Sequence, residues 1–476
     1  MSRTISACAA VLLAAATSFA QSDPSNFDDV LNYPTVVLGN PINGPAPGAT
    51  LPAFGGTTQF NFNAGSGSTN NTFSGWDNEV NVFAGATINN VTIDDGTTLN
   101  LVGGDLHDLS TSAPAPLHPS VVNLLSGNVT GDLNLSGQSI VAIHTGDDLA
   151  VSLTDTPTLG VHAGADLASL DAPGAPGVTI TGGTIGPVTT ANNPRFQISG
   201  GEFTGVVEVL NDSQFNISGG DFADLRVNIL NDINVAGGSF EAVDLNAIGM
   251  RANISGGSFG DSPFVVRSRA EANITGGAFG NNFQIESNGT ATISGGTFAA
   301  DFDVDDNGTL NLVVTQVLID GVDRTSEVAL VNAAGQDFEI DRLAPPMLLE
   351  GLFTDGSPFA FAFQPEGPML ADEVSTLDPN STIRLIVGPA QLDGDFNADG
   401  VVDAADYTVW RDHQGERGEA SIGFNGDGLN GVDQADYQIW QSQYGAATPA
   451  TSQAIPEPAA WVLVIGGTLG LRKRIV

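Results

Sequence analysis

Between residues 180 and 298 one phrase recurs seven times: Ile180-Thr-Gly-Gly-Thr-Ile, Ile198-Ser-Gly-Gly-Glu-Phe, Ile217-Ser-Gly-Gly-Asp-Phe, Val235-Ala-Gly-Gly-Ser-Phe, Ile254-Ser-Gly-Gly-Ser-Phe, Ile274-Thr-Gly-Gly-Ala-Phe and Ile293-Ser-Gly-Gly-Thr-Phe. Successive copies stand 18, 19, 18, 19, 20 and 19 residues apart. Such a period is too short for a pair of helices or a four-stranded propeller blade, but it holds three short strands and their turns. Within each copy apolar residues such as Phe215, Ile217 and Phe222 alternate with polar ones, as strands with one buried face require. The Gly-Gly pair suits a corner that needs positive φ or close backbone approach. The chain is therefore expected to be mainly β, a right-handed parallel β-helix of about 19-residue coils.

Weaker copies extend the pattern back through Gly164, Gly146, Gly127, Gly103, Gly85 and Gly65, and forward to Asn307-Gly-Thr-Leu-Asn-Leu312 as the last coil. About twelve coils at about 4.8 Å each give a rod of about 60 Å. Asn216, Asn234, Asn253 and Asn273 fall in register, with Thr292 next, and read as an outward amide ladder. Phe203, Phe222, Phe240, Phe259, Phe279 and Phe298 read as an inward aromatic column. The repeats occupy 58–312, preceded by a Pro- and Gly-rich leader or cap over 21–57. Over 313–390 alternating runs at Glu327-Val-Ala-Leu-Val, Phe359-Ala-Phe-Ala-Phe and Thr382-Ile-Arg-Leu-Ile-Val predict an antiparallel β segment that closes the rod.

A different chemistry begins at residue 391. Asp395, Asn397, Asp399, Asp403 and Asp406 occupy positions 1, 3, 5, 9 and 12 of a loop, with Gly400 at the sharp turn, Val402 as its aliphatic residue and the Val401 carbonyl as a further oxygen. Hard oxygen donors at these intervals are what a calcium-wrapping EF-hand loop uses. Thirty residues on, Asp406-Tyr-Thr-Val-Trp410 is echoed by Asp436-Tyr-Gln-Ile-Trp440. The second loop offers Asn425, Asp427, Asp433 and Asp436, but has Gly423 at its first position and two extra residues before Asp433. The segment 391–447 resembles a dockerin type I module, a pair of calcium loops each followed by a short helix. That resemblance implies bound Ca2+ and a cohesin-like partner. Ala404-Ala405 and Gln434-Ala435 stand where such modules often carry hydroxyl residues that recognise the partner.

Both ends read as processing signals. Arg3, an apolar run over 9–16 and small residues up to Ala20 form a secretory signal peptide, residues 1–20, with cleavage expected after Ala20. After a linker at 448–454, residues 455–476 carry Pro456-Glu457-Pro458, an apolar stretch over 459–471 and Arg472-Lys473-Arg474. This tail resembles a PEP-CTERM sorting signal, which implies an exosortase-type membrane processing enzyme as partner. Thirteen apolar residues span about 20 Å as a helix, short of a hydrocarbon core of about 30 Å, so transient membrane association is expected.

Charge narrows the function classes. The net charge is −40, although only 14% of residues are charged, because Lys and Arg together number 14. Nucleic-acid binding rests on clustered Lys and Arg and is not expected. Cys8 is the sole cysteine, so the mature chain has no disulfide frame. The repeats hold Arg195, Arg226, Arg251, Arg267 and Arg269 and no lysine, and the histidines His107, His118, His144 and His162 read as scattered over different repeat positions. The expectation is an exported structural or adhesion protein of the cell surface or extracellular matrix that contacts polysaccharide and is not an enzyme. The alternative is a β-helix polysaccharide lyase or glycoside hydrolase carrying a dockerin.

Overall fold

The structure, a computed structural model, describes residues 29–33, 50–51, 58–69, 72–74, 78–112, 118–211, 213–229, 232–299, 302–340, 347–365, 376–378, 380–388, 392–397, 399–416, 420–423, 425–426 and 431–447. Ala20, Asp427 and Pro456-Glu457-Pro458 lie outside them.

The repeats form a parallel β-solenoid of about 12 turns with three strand columns. The first column stacks the segments 58–62, 79–83, 98–102 and 121–124, then 140–143, 158–161, 177–180, 195–198 and 214–217, and continues through 232–235, 251–254, 271–274, 290–293 and 309–314. The second carries the phenylalanines that follow each Gly-Gly pair, and the third runs from 50–51 through 72–74 and 302–304 to 376–377. Neighbouring coils pair in register at each column. Any one coil therefore leans only on the coils before and after it.

The two glycines of each corner answer different needs. The second, for example Gly220, Gly238 or Gly257, has φ between 104 and 106°. A side chain is strained there. The first must let the next coil approach: a Cβ on Gly256 would stand 2.3 Å from the Ala236 carbonyl oxygen, and one on Gly276 2.4 Å from that of Ser255. Gly65, Gly85, Gly103, Gly127, Gly146 and Gly164, the weaker copies, also have positive φ.

Inside the corner the aromatic column forms as expected. Phe203, Phe222, Phe240, Phe259 and Phe279 are buried, and Phe298 is partly buried. Successive rings stack at 4.3, 4.8, 4.9, 4.4 and 4.7 Å, nearly parallel. A second stack, Phe264, Phe283 and Phe302, rises from the third column at 4.9 and 4.6 Å and meets the first edge to face, as between Phe264 and Phe279. Each buried ring contributes about 1.5–3 kcal/mol, and each well-placed pair about 0.5–1.5 kcal/mol more.

On the first column the amide ladder is continuous from Asn216 to Asn273: Asn234 donates to Asn216 at 2.9 Å, Asn253 to Asn234 at 3.0 Å and Asn273 to Asn253 at 3.2 Å. An earlier ladder, absent from the sequence expectation, joins Asn61, Asn81, Asn100 and Asn123 in the same way. There it is buried together with Gln59 and Glu79, which hydrogen-bond to each other and to its amides.

Two expectations for 313–390 are corrected. The run Glu327-Val-Ala-Leu-Val lies in a helix, α1 (Thr325–Ala333), with only Val328 buried. Glu, Ala and Leu favour helix, and the run never alternates with polar residues, so no strand face is specified. The strand Thr382–Val387 is parallel to 309–314, and it extends the first column beyond the coil expected to be last. The antiparallel part is the hairpin Met347–Phe353 and Pro358–Pro365, whose first strand pairs with the end of Thr309–Ile319. Asn332 on α1 pins the added strand by accepting from the Val387 amide at 2.9 Å and donating to the Leu385 carbonyl at 3.3 Å.

The chain ends its described part in a small helical region with α2 (Ala404–His413), a 3-10 turn (Ala420–Ile422) and α3 (Gln434–Gln443). Its own core is Phe396, Trp410, Ile422 and Val432.

Candidate functional site

The duplicated sequence folds as a duplicated structure. Asp403 caps α2 and Asp433 caps α3, each side chain accepting from an amide two residues on, at 2.6 and 2.7 Å. Asp406 and Asp436 close the two capping boxes from N3 and are fully buried. The repeats then clasp each other. Trp410 donates its indole N–H to the Asp433 carbonyl at 2.6 Å, and Trp440 donates to that of Asp403 at 2.7 Å. The backbone repeats the symmetry, since Gly445 donates to Val402 and Gly415 to Val432, both at 2.8 Å.

The first loop wraps around its own carboxylates. Asp395 accepts from the amides of Asp399 at 3.1 Å and Gly400 at 2.8 Å, Asn397 accepts from Asp399 at 2.9 Å, and Asp399 accepts from Val401 at 3.0 Å. Asp406 reaches back to the Asn397 amide at 3.0 Å and the Asp403 amide at 2.7 Å. Gly400 has φ 86° at the sharp turn, and Val402 is buried. Burial pushes the Asp395 carboxyl above its ordinary range, and the neighbouring Asp406 and Asp399 charges push the same way, against the two amide hydrogen bonds. The donor set is all oxygen and suits a hard divalent cation. Yet among the described residues no three or more His, Cys, Asp or Glu side chains converge closely enough to hold a metal.

The second loop is built differently. Asn425 donates its side-chain amide to the Asp395 carbonyl, and its own carbonyl accepts from Gly394 at 2.8 Å. It braces the first loop. Asp433 and Asp436 serve the α3 cap, as described.

Aromatic residues cover this region. Tyr407 packs against Trp410, Tyr437 and Trp440 with ring centroids 5.3–6.1 Å apart, and Tyr444 lies against Trp440 at 5.3 Å.

On the solenoid the outward side of the second column carries an open groove of about 560 Å³ above Phe203, Phe222 and Phe240. Glu202, Asp221 and Glu241 supply its carboxylates, with hydroxyls from Thr204, Ser239 and Ser258. Glu202 and Asp221 are register partners on adjacent strands. In the sequence each of these Glu or Asp residues directly precedes or follows an inward ring, and that adjacency marks the groove.

The histidines require a correction. His144 and His162 occupy the same repeat position, 18 residues apart, and their rings stack at 4.1 Å and 7°. That spacing equals one coil, and it was the available signal. The basic residues form isolated ion pairs: Arg226 with Asp224, Arg251 with Glu271, and Arg267 with Asp244 and Glu286.

Comparison with known protein families, with curated proteins and with solved structures gave no match.

Proposed function

We propose that the chain is an exported rod of the cell surface or extracellular matrix that contacts polysaccharide through its side, and that its C-terminal region is a calcium-binding module of dockerin type. The observation that carries this reading is the groove on the second column. It is open, its lining comes from four successive coils, and hydroxyl and carboxylate groups edge it at intervals of one coil above the buried phenylalanines. The hydroxyls of a glycan chain can hydrogen-bond to such a run of polar groups.

Calcium would be held by Asp395, Asn397, Asp399, Asp403 and Asp406 with the Val401 carbonyl. The loop already has the turn at Gly400 and the buried Val402 that such a loop needs, and its mutually repelling carboxylates would gain from a cation. The second loop has Gly423 at its first position and two extra residues before Asp433, which argues for one site rather than two. The resemblance of the module to dockerins supports a cohesin-like partner, and that of 455–476 to a PEP-CTERM tail supports processing by an exosortase-type enzyme and retention at the surface.

A glycan array probed with the protein lacking residues 1–20 tests the rod. Binding that is lost in Glu202→Gln and Asp221→Asn supports the groove, and undiminished binding in both variants refutes it. The register pair Glu202 and Asp221 also favours a second reading, a polysaccharide-cleaving enzyme, because neighbouring carboxylates are the machinery of glycoside hydrolysis. Release of reducing ends from any bound glycan, abolished in Glu202→Gln, would select that reading instead.

A further inference from the structure

Two interlocks that run along the rod are missing from the same coils. The amide ladder stops at Asn123, because the next register positions are Ala142, Gly160, Thr179 and Gln197 before Asn216 resumes it. The phenylalanine column has not begun, and the core there is Val141, Ile143, Leu159 and Val161. At the corner, Thr181, Ser218, Thr275 and Ser294 donate their hydroxyls to a carbonyl of the preceding coil at 3.3–3.4 Å. The equivalent positions one and two coils before Thr181 hold His162 and His144.

His162 Nδ1 lies 2.9 Å from the Thr181 hydroxyl, which also reaches the Val161 carbonyl at 3.3 Å. His162 Nε2 is buried with no hydrogen-bond partner among the described residues. A metal bridging the two rings does not fit. Between parallel rings 4.1 Å apart it would lie well out of both ring planes, where imidazole nitrogen offers no lone pair.

We infer that the coils joined by the His144–His162 stack form an acid-sensitive joint in the rod. A cationic His162 would carry an Nε2–H with no acceptor among the described residues, and a proton on His144 as well would set two like charges face to face. Burial holds both imidazoles below their ordinary pKa, and among the described residues the only charge acting on His162 is His144 and no carboxylate contributes at either ring. Asp147, Asp148 and Asp166, the nearest acids in the chain, lie past the corner on the same turns. The sign follows from linkage. A histidine depressed in the folded state is destabilising once protonated, so the joint has its full stability above the unfolded pKa of about 6.5 and loses it as pH falls toward the folded value.

Hydrogen exchange of the whole chain, compared at about pH 7.5 and about pH 5 after correction for intrinsic rates, tests this across the range in which histidine titrates. Protection over 140–166 should fall several-fold on acidification while that over 214–298 holds. In the variant H144Q/H162Q, whose amides can still bond Thr181 and never titrate, the difference should vanish, and each single variant should lose most of it. Equal change in both stretches of the wild type overturns the joint, and so does an acid response that survives in the double variant. A single variant that responds as the wild type does removes the stacked pair as its cause.

Discussion

Trp410 holds the backbone carbonyl of Asp433 with its indole N–H at 2.6 Å, so the last turn of one helix is tied to the N-cap of the next. The Trp440 bond to Asp403 is its mirror image. Each helix is thereby locked to the loop that precedes the other.

Trp410→Phe keeps the ring in the small core but leaves that carbonyl without its donor. The expected loss is about 1–3 kcal/mol of stability in the helical region. Because the clasp is reciprocal, Trp440→Phe should cost a similar amount. The double variant should lose less than the two combined, since either break already frees both helices. Hydrogen exchange over 404–443, with the solenoid peptides as internal control, measures it.

Calorimetric titration of the whole chain with calcium should show one strong site that disappears in Asp395→Ala. Asp433→Ala should leave binding near the wild-type level while fraying α3, because its loop lacks an acid at the first position and its side chain caps that helix. Two equal strong sites in the wild type would contradict the weaker second loop, and no heat at all would remove calcium from the account.

Phe240→Ala should be among the most damaging single changes in the rod. The ring stacks on both Phe222 and Phe259, and truncation costs about 3–5 kcal/mol. Because coils lean only on their neighbours, exchange protection should fall first over 214–259 and only later beyond it. Uniform loss along the rod would contradict that locality.

Asn234→Asp tests the amide ladder. The substitution replaces a donor 2.9 Å from the Asn216 oxygen with a carboxylate that repels it, at an expected cost of about 1–3 kcal/mol near neutral pH. Protonation restores a donor. The deficit relative to wild type should therefore shrink as pH falls through about 4, the ordinary carboxylate range, and thermal melts at a series of pH values would show it.

The coil was legible because backbone geometry left no choice of residue. Gly256 and Gly257 answer two separate steric demands, and both surface as a repeated dipeptide. The phenylalanine and asparagine columns were legible for a related reason: in-register stacking rewards the same side chain at every step. What escaped was whatever the pattern does not encode. Alternation at Thr382–Val387 specifies a buried face but not the direction of each partner strand, so its parallel pairing with 309–314 was missed although its pairing with Phe338–Glu339 is antiparallel as expected. The first asparagine ladder sits among copies too degenerate to mark its register, and α1 owes its position to tertiary anchoring through Asn332. In the calcium-type loop the spacing revealed the oxygens, while the commitment of Asn425 to Asp395 became visible only in three dimensions.

The in-register pairing of every coil has a genetic corollary. A tandem duplication of one coil within 214–298 creates an interface that the rod already contains, since Phe meets Phe, Asn meets Asn or Thr, and glycine corner meets glycine corner. Loss of a few residues inside a coil has no such match, and would turn side chains destined for the core toward solvent. Length in this protein can thus change by whole rungs at little cost, so a lineage could tune how far the rod reaches by recombination between repeats.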